Sequence, residues 1–124
     1  MLLENKWYEC KIRDDAVEKV VKEHGGRREV ATLDVQVLND RVLRDILGIE
    51  NVRNSSAVDF VGGSRGLEGL IRRCNEDSLA AFAMHPVSIE QLLDVADAQL
   101  NMPPKSTWFE PKPRSGYVVR VFNE

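Results

Sequence analysis

Apolar and polar positions along this 124-residue chain alternate in two rhythms. From residue 88 to residue 100, Ile89, Leu92, Leu93, Ala96 and Leu100 stand three or four apart, the spacing of one helical face. Ser88 and Gln91 at its start form the Ser-x-x-Gln pattern of a capping box, with Pro86 just before. The same rhythm in Val17, Val20 and Val21 predicts a short helix, capped by Asp14 or Asp15 and stopped by Gly25-Gly26. A longer helix is predicted from Thr32, as N-cap, to Leu47 before Gly48, with Asp34 in its first turn. Its stripe is Leu38, Val42 and Ile46, joined by Leu43 and Leu47, and a further helix is predicted over residues 67–73 from Leu67, Leu70 and Ile71.

Period-two patterns predict strands. Residues 6–12 carry Trp7, Tyr8 and Ile12 around Cys10, residues 57–61 form a second such run, and residues 116–122 alternate through Tyr117, Val119 and Val121. Residues 79–84 are continuously apolar between turn residues, which predicts a central strand buried on both faces, with Phe82 and Met84 or their alternate neighbours in the core. Residues 25–30, with two glycines and Arg27-Arg28, read as a mobile loop. The order of these elements predicts an α+β fold of α/β-like character. The expected form is a two-layer sandwich, in which three to four helices cover a mixed sheet of about four or five strands. The length suits one domain over residues 1–124.

Composition narrows the function classes. Seventeen Lys and Arg against twenty Asp and Glu leave a formal charge of −3, without the basic footprint of a nucleic-acid binder. No run approaches the ~18 apolar residues of a membrane span, and no apolar signal core follows a basic start, so a cytoplasmic protein that avoids membranes is expected. Cys10 and Cys74 form no metal or redox spacing, and His24 and His85 lie in unrelated contexts, so no metal site is predicted.

Three segments carry candidate chemistry. The loop over residues 102–116 holds four prolines. A stiff loop of that kind would fix Lys105, Ser106, Thr107, Lys112 and Arg114 for binding an anion, with Trp108 available to stack on a planar ligand. The alternative is a loop that routes the chain past the sheet while Trp108 and Phe109 enter the core. Gly62, Gly63 and Arg65 join a strand end to a helix start, where free amides favour an anion, although a plain tight turn has the same composition. His85 directly follows the apolar run. There it either serves as acid, base or phosphate donor, with Asp59 as the nearest carboxylate, or bonds a neighbouring backbone carbonyl. Asp59 is equally placed to pair with an arginine, and Asp94 and Asp97 read as a solvated helix face.

Trp7-Tyr8, Leu33-Asp34-Val35, the block of residues 60–66, the block of residues 82–98 and the proline-rich block of residues 102–116 follow one another in an order that resembles a prokaryotic family. That family is known as domain of unknown function 1015 and is labelled ParB-like. The chain is similar to the C-terminal part of its longer members. Those members carry an upstream Asp-Gly-His-His-Arg segment, of the kind the ParB-like fold uses at its nucleotide site, and this chain has none. The resemblance implies phosphoryl transfer or nucleotide binding by the longer proteins. For this chain it implies a non-catalytic structural or regulatory module that docks on an N-terminal partner domain or forms a homodimer. The alternative it leaves open is a domain that binds phosphate, a nucleotide or a phosphorylated small molecule.

Overall fold

The computed structural model describes residues 1–107 and Pro111, and they form a mixed α+β structure. Strands β1 (Leu2–Leu3) and β2 (Lys6–Trp7) make a tight hairpin, Leu2 facing Trp7 and Leu3 facing Lys6. Its two connecting residues, Glu4 and Asn5, have φ of 48° and 60°, the left-handed pair whose twist matches that of the strands. On the other side of β1 lies β3 (Ala80–Ala81), antiparallel, with Leu2 opposite Ala81.

The order β2-β1-β3 corrects the expected sheet in three respects. Among the described residues it has three strands, all antiparallel, rather than a mixed set of four or five. Among the described residues the apolar run of residues 79–84 supplies an outer strand of two residues, not the central one: Ala81 is buried, but Leu79 is 94% exposed and Met84 is also exposed. The two alanines of β3 pack against helix α4 (Gly66–Glu76), and Phe82 is half-buried. Residues 57–61 form no strand, and residues 8–12 do not extend β2. The strand expected over residues 116–122 lies outside the described residues.

Helix α1 (Asp14–Glu23) buries Val20. Neither aspartate caps it: Arg13 holds the N-cap position, and its guanidinium donates to both Asp15 oxygens at 2.9 and 2.7 Å. Gly25 and Gly26, at φ of 64° and 82°, turn the chain out of α1. The loop expected next is instead partly helical, as α2 (Arg28–Ala31). Arg28 reaches back to Glu18 at 2.8 Å, and Ala31 is fully buried, so tertiary contacts override the weak local signal. Thr32 does not cap the following helix, because its hydroxyl donates to the Arg28 carbonyl at 2.9 Å and closes α2.

Helix α3 (Asp34–Val37) runs into a π-helical stretch, Leu38–Arg44. Backbone bonds five residues apart mark it, Asp45 N–H to the Asp40 carbonyl at 3.1 Å and Leu47 N–H to that of Val42 at 2.9 Å. Wider winding moves later residues off the stripe an α-helix would keep. Leu43 is buried, while Ile46 is 72% exposed and Leu47 is exposed.

A 3₁₀ turn, Gly63–Arg65, precedes α4. In α4 the glycine under steric demand is Gly69, where a Cβ would stand 2.8 Å from Arg65 Cβ and 3.0 Å from Val61 Cγ1. Helix α5 (Ile89–Asp97) starts as its sequence predicts: the Gln91 amide donates to Ser88 Oγ at 3.1 Å and the Ser88 amide to Gln91 Oε1 at 3.0 Å. It packs on α2 through Val95, whereas Ile89 is 71% exposed. No helix among the described residues is long and apolar enough to cross a membrane.

Candidate functional site

Leu33 is buried at the N-cap of α3, and this anchors a small recess of about 80 Å³. Residues 33–35, residues 84–87, Gln91, Lys105 and Ser106 line it. His85, Lys105 and Ser106 were each singled out in the sequence, and the fold brings all three to one place. Two lining polar groups were missed as site residues: Asp34 had been read only as a first-turn charge and Gln91 only as a cap.

The local hydrogen bonds set what the recess offers. His85 Nδ1 lies 3.0 Å from the Pro86 carbonyl, and since a carbonyl only accepts, Nδ1 carries the proton. In the neutral ring that leaves Nε2 as the acceptor. Ser106 Oγ donates to the Pro103 carbonyl at 2.6 Å, so its proton is spent and its lone pairs face outward. Lys105 stands over the Phe60 ring, 5.9 Å from the ring centre, in a cation–π contact. That contact ties the loop to the segment before the glycine turn. Lys105 also has φ of 61°, an uncommon conformation outside glycine. Asp34 adds a negative charge to the same lining.

The remaining candidates do not join them. Asp59 is not beside His85 but accepts from Arg73 Nη1 at 2.6 Å, while its other oxygen takes the Phe60 amide at 2.7 Å. Arg73 is further held by Asp77 at 3.0 Å, and its pKa is raised by that hydrogen bond and charge before the smaller effect of Asp59. Gly62, Gly63 and Arg65 sit at the start of α4 and do not line the recess, and Thr107 is exposed outside it. Lys112, Arg114 and Trp108 lie outside the described residues.

A second polar constellation sits between α1 and the π stretch. Asp40 is 5% exposed, yet both of its carboxylate oxygens have donors. Oδ2 accepts from His24 Nε2 at 2.6 Å and from Gln36 Nε2 at 3.0 Å, and Oδ1 accepts from Arg44 Nη1 at 2.7 Å. Burial pushes its pKa up, but the bonds from Gln36 and His24 and the Arg44 charge outweigh burial and hold it below the usual aspartate value. The signal for this cluster was Gln36, Asp40 and Arg44 at four-residue spacing in an otherwise apolar helix. His24, sixteen residues earlier, gave no local sign of joining it.

Among the described residues no group of His, Cys, Asp and Glu could hold a metal ion. Between α2 and α5 an open groove of about 570 Å³ is lined by Arg28, Glu29, Asp94 and Asp97, among others, which keeps those two aspartates on a solvated face. Comparison with known proteins finds no matching family model, no matching curated protein and no matching solved structure.

Proposed function

We propose that the chain is a non-catalytic structural or regulatory module of a larger ParB-like protein of the domain of unknown function 1015 kind, working by docking on an N-terminal partner domain or on a second copy of itself. The carrying observation is how much large apolar surface the described residues leave open: Ile46, Leu47, Leu67, Leu79, Ile89 and Leu93 are all exposed. Ile89 and Leu93, four residues apart on α5, share one helix face, and an apolar face left open in this way is what a docking partner would cover. Two groups singled out for catalysis are engaged elsewhere, Asp59 with Arg73 and the His85 ring with a backbone carbonyl, which fits the same reading. The two-layer sandwich with a fuller sheet belongs to this proposal, as the form the module takes beyond its three described strands.

Sedimentation velocity across a concentration series tests it. The wild-type chain should self-associate or bind the remainder of the larger protein supplied separately. Replacing both Ile89 and Leu93 by Glu should abolish that association without moving the unfolding midpoint. A chain that stays monomeric and ignores the added domain rules the reading out.

One observation favours a second reading, anion binding: residues 33–35, 84–87 and 105–106 meet at a single recess carrying Lys105 and His85. Its volume equals roughly two or three waters at about 30 Å³ each, far below the ~300 Å³ at which small-molecule pockets begin. Lys105 is the group that would hold a phosphate, free or on a phosphorylated small molecule or nucleotide, while the neutral His85 ring, the spent Ser106 hydroxyl and Asp34 add no donor, which places this reading second. Inorganic phosphate should then raise the unfolding temperature in proportion to the logarithm of its concentration above Kd, and Lys105→Ala should remove the shift. No shift in the wild-type chain eliminates this reading and leaves the docking module untouched.

A further inference from the structure

A π-helical stretch is rare because its backbone bonds are less favourable than those of an α-helix, so a run of seven residues calls for something that holds it. The sequence itself favours the α form. Leu38, Val42 and Ile46 share a stripe only at α-helical spacing, yet Ile46 is turned out to solvent. What opposes that preference is the end of α1. His24 takes hold of Asp40, and Glu23 takes hold of the next residue, Arg41. Two consecutive residues are thus gripped from one direction, which the angular step between neighbours in an α-helix disfavours. Gln36 and Arg44, each four residues from Asp40, and Asp45, four from Arg41, add bonds of a spacing that an α-helix also allows, so the contacts that select the π form are the two from the end of α1.

We propose that Asp40 is a register pin. While its carboxylate is tied to His24 beyond α1, the stretch Leu38–Arg44 keeps its π winding; freeing it from His24 lets the stretch rewind as α-helix and turns Ile46 back toward the stripe of Leu38 and Val42. The device is conformational and independent of the proposed function. The charged groups that bear on it are Glu23 and His24 from α1, Arg41 and Arg44 within the stretch, and Asp45 after it. Asp40 is the member whose protonation removes the negative charge shared by His24 and Arg44 and turns one of its oxygens into a donor, which weakens the tie to His24.

Solution NMR of the full chain provides the test. At neutral pH the wild-type protein should show contacts between residues five apart over residues 40–47, with the Ile46 methyls open to a soluble paramagnetic probe. On acidification those contacts should give way to ones between residues four apart, with the probe effect on Ile46 falling by about half as it moves onto the flank of the stripe. That change should come before the global loss of structure followed by tryptophan fluorescence. Asp40→Asn should show the α pattern already at neutral pH. If the wild-type π contacts vanish only together with global unfolding, or persist in a folded Asp40→Asn chain, Asp40 does not set the register.

Discussion

The two polar constellations differ in how completely their groups are used. At Asp40 both carboxylate oxygens have donors, the carboxylate is buried, and its partners come from two helices sixteen residues apart or from adjacent turns. At the recess the polar groups are exposed or half-buried, and their described bonds run to nearby backbone: His85 to Pro86 and Ser106 to Pro103. A buried carboxylate held by three donors has little left for a ligand, and removing it strands those donors. The recess strands nothing of the kind, and its Lys105 is a charge that solvent can reach. The comparison therefore assigns stability to the first site and any ligand to the second.

Asp40→Ala should break the comparison most visibly if it is wrong. Loss of the acceptor shared by His24, Gln36 and Arg44 should cost about 3 kcal/mol in denaturant unfolding, and a loss near zero would make the cluster ornamental. Acid sharpens the same point. Because the folded pKa of Asp40 lies below its unfolded value, the stability it contributes is present above the unfolded value near ~3.9 and is lost as pH falls through the folded one. The wild-type chain should therefore lose stability over that acidic window, and Asp40→Ala should lose less of it.

On α5 the contrast between used and unused surface is tested by a pair. Val95→Ala should cost about 2 kcal/mol for two buried methyl equivalents, while Leu93→Ala, at 55% exposure, should change stability by no more than about 0.5 kcal/mol. Equal losses would mean that α5 buries a different face. Ser88→Ala, which removes half of a completed capping box, should cost about 1 kcal/mol, read as a shift in the unfolding midpoint that Ser88→Asp largely restores.

What could be read from the sequence was local. The Ser88 and Gln91 cap, the start of α4 after the glycine turn, and the stops at Gly25-Gly26 and Gly48 depend on residues within a few positions of one another. His85, Lys105 and Ser106, each singled out for its chemistry, line one recess, whereas Gly62, Gly63 and Arg65, singled out beside them, do not. What was missed depends on distant partners. Val95, rather than Leu93, faces the core because α2 lies on that side, and α2 itself was read as loop. A continuous apolar run was taken as the sheet centre at residues 79–84, but which strand is central follows from pairing, and Leu2 pairs on both sides. The π winding left no trace in the apolar spacing, since that spacing is α-helical.

The backbone at Lys105 has a consequence of its own. A lysine at φ of 61° occupies a conformation that glycine would adopt at no penalty, so the position carries strain of roughly 1 kcal/mol for the sake of a side chain. Lys105→Gly should therefore act in opposite directions on two readouts: the chain should melt slightly higher, while the Phe60 contact and the positive charge at the recess disappear together. The backbone change is then read by the melting temperature and the charge change by the phosphate-dependent shift, so the two contributions of Lys105 are separated in one variant.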